Sequence, residues 1–538
     1  MTRLLGSSLA SSLAVLGLSL ASACGDDQPV QDGDGSSTGA SAEGSTGTTV
    51  AVDESSSGPG VDTTADGSSS SGDLPPLELE VVSYTYPNQP MVIDLSFSVP
   101  QLEVTIEHET DPGIRSAVIE ADPEQTWVRV RGLAPDTEHP LSWSALAPDG
   151  RTAEGELTVT TETALPGFRP SFTIEGPGGP GTGTGYGGYV LFDLLALTPE
   201  APASIFVLDT EGTTRWHLGR SDGLIGPTSV FAGAKLRADG TLLYLRDLNV
   251  YVIDEMGVEQ LVIASVDLGL PGLHHDVIEL PSGNFLALAF TFRDIDYPDI
   301  GLTHVAGDLI VELSPEGELV WEWDSFDHLD PLRRRDGFDD LILDPETGEF
   351  GKDWTHGNGI VHREDTDTIT FSMRHQDWII EVDHGTGDVL WRLGEEGDFT
   401  LTAGTWQYHQ HSPEWQDDGT LLLYDNGLGN PGLPDPMETS RAVRYAIDTG
   451  AMEVTQVWED AAEDFVSPIA GDSDRLPDGS ILVTDSSIGL ELGPQAIYSR
   501  VREIDEPSSD VPQWWFTTEL GTFIYRCIPT ELLPGELP

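Results

Sequence analysis

The sequence predicts an all-β chain: a six-bladed β-propeller over residues 166–538, preceded by a small β-sandwich over residues 77–163. Two alternating hairpin signals and the lack of a long amphipathic helical pattern support this. The first hairpin turns between Asp209 and Gly212, Asp254 and Gly257, Ser314 and Gly317, Asp383 and Gly387, and Asp448 and Gly450, with a degenerate sixth copy from Asp505 to Trp514 or Trp515. An apolar strand enters each turn, and in most copies a strand carrying Trp leaves it, as at Trp216, Trp321, Trp391 and Trp458. The second hairpin turns between Leu236 and Gly240, Leu280 and Gly283, Asp417 and Gly419, and Leu476 and Gly479, and becomes Glu364 to Asp367 in the fourth unit. Two hairpins per period make four strands, and four-stranded units in series make a propeller. The Trp residues then read as packing between blades.

Taken in order, residues 1–24 read as an export signal. Arg3 supplies the charge, an apolar stretch runs from Leu4 to Leu20, and Ala21, Ser22 and Ala23 precede Cys24. That stretch is too short and too rich in small residues for a spanning helix. It resembles a bacterial lipoprotein signal, with Ala21 where such signals usually have Leu. The resemblance implies lipidation of Cys24 and an exported cell-envelope lipoprotein of the periplasm or outer membrane, touching membrane through its anchor only.

Residues 25–76 are Ser, Gly, Thr and Asp with almost no large apolar side chain, and no Lys or Arg lies between Arg3 and Arg115. Such a segment buries too little surface to offset its ordering entropy, which predicts a disordered acidic linker.

Over residues 77–163 short alternating strands appear, as at Leu102, Val104 and Ile106 or Trp127, Val128 and Val130, separated by Pro-Gly and Asp-Gly turns. The segment holding Gly132, Leu133, Pro135, Thr137 and His139, followed by Leu141, Trp143 and Ala145, resembles the late strands of a fibronectin type III module. His139 stands where that family usually has Tyr. A spacer or a wall is the role this implies. Farther on, Gly183, Gly185, Gly187 and Gly188 lack the flanking strand, helix and downstream acid of a dinucleotide site, and read as a loop.

Composition excludes some partners. The net charge is −67, from 92 acidic against 25 basic residues, and the only lysines are Lys235 and Lys352. Nucleic-acid binding needs a basic face, so no nucleic acid is expected. The two cysteines, Cys24 and Cys527, supply neither a disulfide framework nor a cysteine metal site.

Residues at one fixed offset before the second hairpin should line one ring of the propeller. Eight before Gly283 stands His275, and eight before Gly419 stands His411. The corresponding stretch of the fourth unit holds His356 and Asn358, and Arg374 ends the strand that follows. Three imidazoles and a guanidinium allow a zinc site or a site for a tetrahedral oxyanion with one histidine as nucleophile or acid. Arginine beside a metal is electrostatically awkward and favours the anion site, with no metal.

Asp353, Trp354, Thr355, His356, Gly357 and Asn358, then Ser372, Met373 and Arg374, then Gln410 and His411, with His274, His275 and Asp276 before and Asp425, Asn426 and Gly427 after, resemble the bacterial arylsulfate sulfotransferase family. The resemblance spans roughly residues 77–538. It implies a six-bladed propeller that moves a sulfuryl group, with no cofactor and independently of PAPS, from a phenolic sulfate ester to a phenolic acceptor through a sulfohistidine. His411 would be the nucleophile. Arg374 and His356 would bind the sulfuryl oxygens. His275 would protonate the departing phenolate and deprotonate the acceptor. Asn358 would orient His356 or bind an oxygen, His274 could exchange roles with His275, and His409 shares a strand face with His411 by alternation and could bind substrate. Met373 departs from the usual small or polar residue, and the cysteine pair of some members is absent. His375 reads as packing, and His328, His362 and His384 as solvated turn residues. The rival readings are a non-catalytic ligand-binding or adhesive surface propeller and, third, a metal-dependent hydrolase or lyase.

Overall fold

The computed structural model describes residues 48–50, 75–86, 89–99, 103–108, 117–120, 126–162, 171–176, 188–196, 203–219, 231–432, 439–460, 465–506 and 512–536. Contacts divide the chain into two units, one within Gly167–Thr213 and His217–Pro538, the other within Gln31–Pro166 together with Thr214–Trp216. Cys24 and the rest of the signal lie outside the described residues. Among the described residues no helix is long and apolar enough to cross a membrane.

The N-terminal unit is built of two four-stranded antiparallel sheets. One orders Thr48–Val50, Val81–Thr85, Ile93–Phe97 and Trp127–Val130; the other Ala117–Glu120, Glu103–His108, Glu138–Leu146 and Thr152–Thr160. Burial alternates along Glu138–Leu146, as a half-buried strand requires. Its inward Leu141, Trp143 and Ala145 join Ile93, Leu95, Phe97, Val128 and Val130 in one apolar cluster. His139 Nε2 bonds Ala134 O at 2.8 Å, a return to the backbone a few residues upstream such as tyrosine makes in sandwich corners. The short strand Thr48–Val50 pairs with Val81, Val82 and Ser83, although it lies inside the segment expected to be a linker; residues 51–74 lie outside the described residues.

In the larger unit six sheets follow one another among the described residues, antiparallel except where Gly301–Leu313 pairs with Phe350–Asp353 and Thr400–Ala403 with Glu453–Glu459. The first holds Ser204–Asp209, Tyr189–Ala196 and, from the far end of the chain, Thr522–Thr530. The next five begin with the inner strands Phe231–Leu236, Leu273–Glu279, Gly357–Arg363, His411–Trp415 and Asp472–Arg475. Thr173–Glu175 adds the outer edge of the last sheet by pairing with Trp514–Thr517. Each inner strand touches the next, and Thr522–Thr530 touches both Asp472–Arg475 and Phe231–Leu236, so the ring closes. A closed ring of such meanders is a β-propeller, and closure removes exposed inner edges.

Local chemistry fixes the turns where the sequence places them. Asp209 Oδ1 accepts the backbone N–H of Glu211 and Thr213 at 2.9 and 2.8 Å, and Asp254 does the same for Met256 and Val258 at 2.9 Å each. Gly212 and Gly257 then close their turns with φ of 81° and 76°, which side chains disfavour. The cores lie between consecutive sheets. Val250, Val252, Phe285 and Val311 join the second to the third, and Trp323, Ile369, Phe371 and Ile380 join the third to the fourth. By area each such side chain contributes about 1.5–3 kcal/mol. Two tryptophans also tie sheets by hydrogen bonds: Trp323 Nε1 donates to Gly387 O at 3.0 Å and Trp514 Nε1 to Thr210 O at 2.8 Å.

Candidate active site

Four inner strands carry a β-bulge at the same level. Register slips between Ala232 and Lys235, His274 and Val277, Gly357 and Gly359, and His411 and Glu414. A bulge re-aims the side chains beside it. At these bulges the backbone is left-handed at Gly233, His275 and Ser412, with φ of 65°, 59° and 48°, and at His356, just ahead of its bulge, with φ of 50°. Outside glycine such a conformation costs on the order of 1–3 kcal/mol and persists only when the surroundings impose it. The strain gathers where the histidines gather.

His275 and His356 have ring centroids 4.9 Å apart. Tyr525, from the closing strand, lies 5.9 Å from His275 and 6.1 Å from His411, and its buried hydroxyl has no hydrogen-bond partner. Arg374 begins a three-residue 3-10 turn after Thr368–Met373. Its Nη2 donates to Pro468 O at 3.1 Å and its Nη1 to His375 Nε2 at 2.6 Å, while its buried Nε has no partner. The four residues His275, His356, Arg374 and His411 are therefore brought together.

Each histidine is held differently. Asn426 Oδ1 lies 2.7 Å from His411 Nδ1, and Asn426 Nδ2 donates to Ser467 O and Ala470 O at 2.7 and 2.8 Å. With both amide protons so engaged, Oδ1 must accept, which places the proton on Nδ1 and leaves Nε2 with a free lone pair. His274 Nδ1 meets His275 Nδ1 at 2.7 Å, and its Nε2 stands 3.0 Å from Asp308 Oδ1, off the axis of a good hydrogen bond but within reach of the charge. Stacking on Phe290 at 3.9 Å fixes the His274 ring. Asp308 also accepts Thr355 Oγ1 at 2.5 Å and Gly357 N–H at 2.7 Å, so one carboxylate organises both the His274–His275 pair and the turn carrying His356. His356 Nδ1 bonds Asp353 Oδ2 at 2.5 Å.

The electrostatics suit an anion. Burial first, then Arg374, pushes the His411 pKa well below the ordinary histidine value. Burial and then the imidazoles of His274, His356 and His411 push His275 the same way. Both rings are therefore neutral at rest, beside the guanidiniums of Arg374 and Arg526. Arg526 donates to Asn358 O at 2.6 Å and pairs with Asp276 at 2.8 Å. Burial raises the Tyr525 hydroxyl, keeping it a neutral donor.

Three expectations need correction. Asn358 does not orient His356: its Nδ2 donates to Gln410 O at 2.8 Å, fixing the peptide before His411, while its buried Oδ1 has no partner. His409 does not share a strand face with His411, because it precedes the strand His411–Trp415 and has a left-handed φ of 54°, where alternation does not apply. It stands beside Asp377 and Arg374, and burial lowers its pKa to about 4. His375 is more than packing, since it touches Arg374 and its ring lies 4.5 Å from that of His356. His274 supports His275 from behind. The supporting Asp308, Asp353, Asn426, Tyr525 and Arg526 carried no role in the sequence reading. Asp353 and Asn426 stood inside the quoted motifs; the others come from strands far away in the chain.

Asp353, His356 and His375 are close enough to hold a cation. However, His375 Nδ1 is bonded to Asp353 O at 3.0 Å and its Nε2 to Arg374 at 2.6 Å, so a metal would displace both bonds and sit beside a guanidinium.

Comparison with known proteins shows the family of the larger unit. The family model described as Arylsulfotransferase (ASST) matches residues 181–526. The chain is 28% identical over 393 residues to the arylsulfate sulfotransferase AssT of Lelliottia amnigena, a match covering 60% of this chain and 63% of that relative. Solved structures align more loosely. A protein of unknown function from Bacteroides caccae has 13% identity and a TM-score of 0.39, covering 64% of this chain and 100% of its own. A luciferin-regenerating enzyme has 12% identity and a TM-score of 0.31, covering 68% and 99%. The family match spans the ring that bears His275, His356, Arg374 and His411, and by it this chain belongs to the arylsulfotransferase (ASST) family.

Proposed function

We propose that the chain is a PAPS-independent arylsulfotransferase that carries a sulfuryl group from a phenolic sulfate ester to a phenol on His411. The observation that carries this reading is the Asn426–His411 bond of 2.7 Å, which leaves Nε2 free as the nucleophile of a neutral imidazole. In the first step the Nε2 lone pair attacks sulfur, an N–S bond forms, and the S–O bond to the aryl group breaks with its electron pair on the phenolate. Burial, and then its imidazole neighbours, keep His275 neutral at rest; the bound sulfate monoanion offsets that penalty, so His275 takes up a proton with the donor and delivers it to that phenolate. In the second step the acceptor phenol gives its proton to His275 and attacks sulfur, and the N–S electron pair returns to His411.

Arg374 and His356 bind the sulfuryl oxygens, where charge shifts during transfer. Tyr525, with its unpartnered hydroxyl near both His275 and His411, is placed to donate to an oxygen of the same group. A neutral amide behind His411, rather than a carboxylate, avoids raising its basicity and keeps the N–S bond reactive. We further propose that the protein is exported and anchored through lipidated Cys24, on the basis of its signal-like N-terminus.

Incubating the purified chain with a chromogenic aryl sulfate, with and without a phenol acceptor and in the presence of a chelator, tests the activity. Acceptor-dependent release of the donor phenol is expected; silence from a folded sample across a panel of donors would contradict it.

A further inference from the structure

Away from the ring, His362, Asp367 and His384 form a second cluster of metal-ligating side chains. The fourth sheet brings them together: Arg363 pairs with Thr368 and Thr368 with Asp383, so the turn bearing Asp367 lies between the flanks carrying His362 and His384. Their ligand atoms all fall within 4.8 Å of one another. His362 Nε2 and His384 Nδ1 reach the same oxygen, Asp367 Oδ1, at 2.9 and 3.0 Å. Both imidazoles are largely enclosed, with side chains 11% and 15% exposed, whereas Asp367 is 65% exposed and leaves a way in from solvent.

The support behind His384 has the form of a ligand's outer contact. Its Nε2 lies 3.2 Å from Glu312 Oε2, and Glu312 Oε1 accepts Asn284 Nδ2 at 2.6 Å. A carboxylate on the far nitrogen of the ring is the outer contact that metal-binding histidines usually have. The hydrogen bonds of His384 Nδ1 and His362 Nε2 to Asp367 Oδ1 would give way to bonds from the three atoms to one shared cation. Trp321 packs edge-on against the ring at 4.8 Å and holds its plane. Bonds of about 2.0–2.2 Å at tetrahedral angles separate ligand atoms by about 3.3 Å, so the two nitrogen–oxygen spacings of 2.9 and 3.0 Å need to open by only a few tenths of an ångström.

We propose that His362, Asp367 and His384 bind one divalent transition-metal ion of the Zn2+ class at the hairpin end of the fourth sheet, with a solvent molecule completing the set. Two imidazoles and one carboxylate select borderline cations over Ca2+ and Mg2+, which prefer oxygen. The ion would clasp the Glu364–Asp367 turn to the Asp383–Gly387 turn and would raise the melting temperature by binding the folded chain alone.

The test titrates the full chain, freed of metal, with ZnCl2 in a calorimeter, and repeats the titration with CaCl2. One Zn2+ per chain is expected, with a rise in melting temperature and no matching Ca2+ site. Asp367→Asn and His384→Gln, each with an unchanged melt without metal, should weaken that site tenfold or more. His356→Gln, in the cluster beside Arg374, should leave it intact. Absence of a zinc site at micromolar metal, a site that survives both Asp367→Asn and His384→Gln, or one lost in His356→Gln would overturn the assignment.

Discussion

His411 Nδ1 and Asn426 Oδ1 lie 2.7 Å apart, and both remaining protons of the Asn426 amide are taken by the carbonyls of Ser467 and Ala470. The backbone of one loop thus dictates which nitrogen of a histidine on another strand is basic. Asn426→Ala should lower kcat/KM by about ten- to hundredfold, equivalent to about 1.4–2.7 kcal/mol. Asn426→Asp should make His411 a poorer leaving group, so that the acceptor half-reaction slows more than the donor half-reaction. Single-turnover measurements of the two halves check this.

Arg374 makes two different bonds, to Pro468 O and to His375 Nε2. Lysine cannot reproduce that fork or present planar donors to an oxyanion. Arg374→Lys should reduce kcat by about a hundred- to thousandfold, with a smaller effect on KM, because charge shifts on the sulfuryl oxygens in the transition state. Steady-state kinetics with one donor would show it.

Gly357 has no room for a side chain. A Cβ there would meet Phe371 Cε2 at 2.6 Å and Asp308 Cγ at 3.0 Å. Gly357→Ala should displace the carboxylate that organises His274 and the His356 turn, and should lower both stability, by about 1–3 kcal/mol, and activity. Urea unfolding together with turnover measures the two losses.

His409 is buried with its pKa lowered to about 4, against about 6.5 when unfolded. The unfolded chain therefore binds the extra proton first, and the stability tied to neutral His409 is full above about pH 6.5 and declines as pH falls toward 4. About 2.5 pH units correspond to about 3 kcal/mol. The groups facing His409 are Asp377, Arg374 and Asp336. Asp193 and Asp472, raised by burial to about 7 and about 6, act in the opposite sense and are common to both proteins compared. His409→Gln should accordingly lose less stability than the parent between pH 7 and pH 4. Urea midpoints across that range decide it.

The sequence made the repeat legible because each turn has its own local chemistry. Asp209 and Asp254 cap their turns and Gly212 and Gly257 close them, and these signals need only a few neighbouring residues. The ring histidines were legible for the same reason, as a fixed offset from a turn carries the geometry of the repeat. Closure was not: the pairing of Tyr189–Ala196 with Thr522–Thr530 joins residues more than three hundred apart, and no local pattern announces it. Tyr525 and Arg526 reach the site by that closure. Bulges were also hidden, so strand alternation misplaced His409, and the carboxylate of Asp308 could be assigned only once its bonds to Thr355 and Gly357 across two sheets were known.

On the proposed mechanism His411 carries the sulfuryl group covalently, and the adduct itself can be sought. The purified chain would be exposed to an aryl sulfate without acceptor, quenched in alkali where N-sulfo groups persist, digested and analysed by mass spectrometry. A sulfuryl adduct is expected on His411 that disappears when a phenol is added and is absent from His411→Ala, which also fails to turn over. Transfer by His411→Ala at the parental rate, or an adduct on another residue with His411 unmodified, would contradict it.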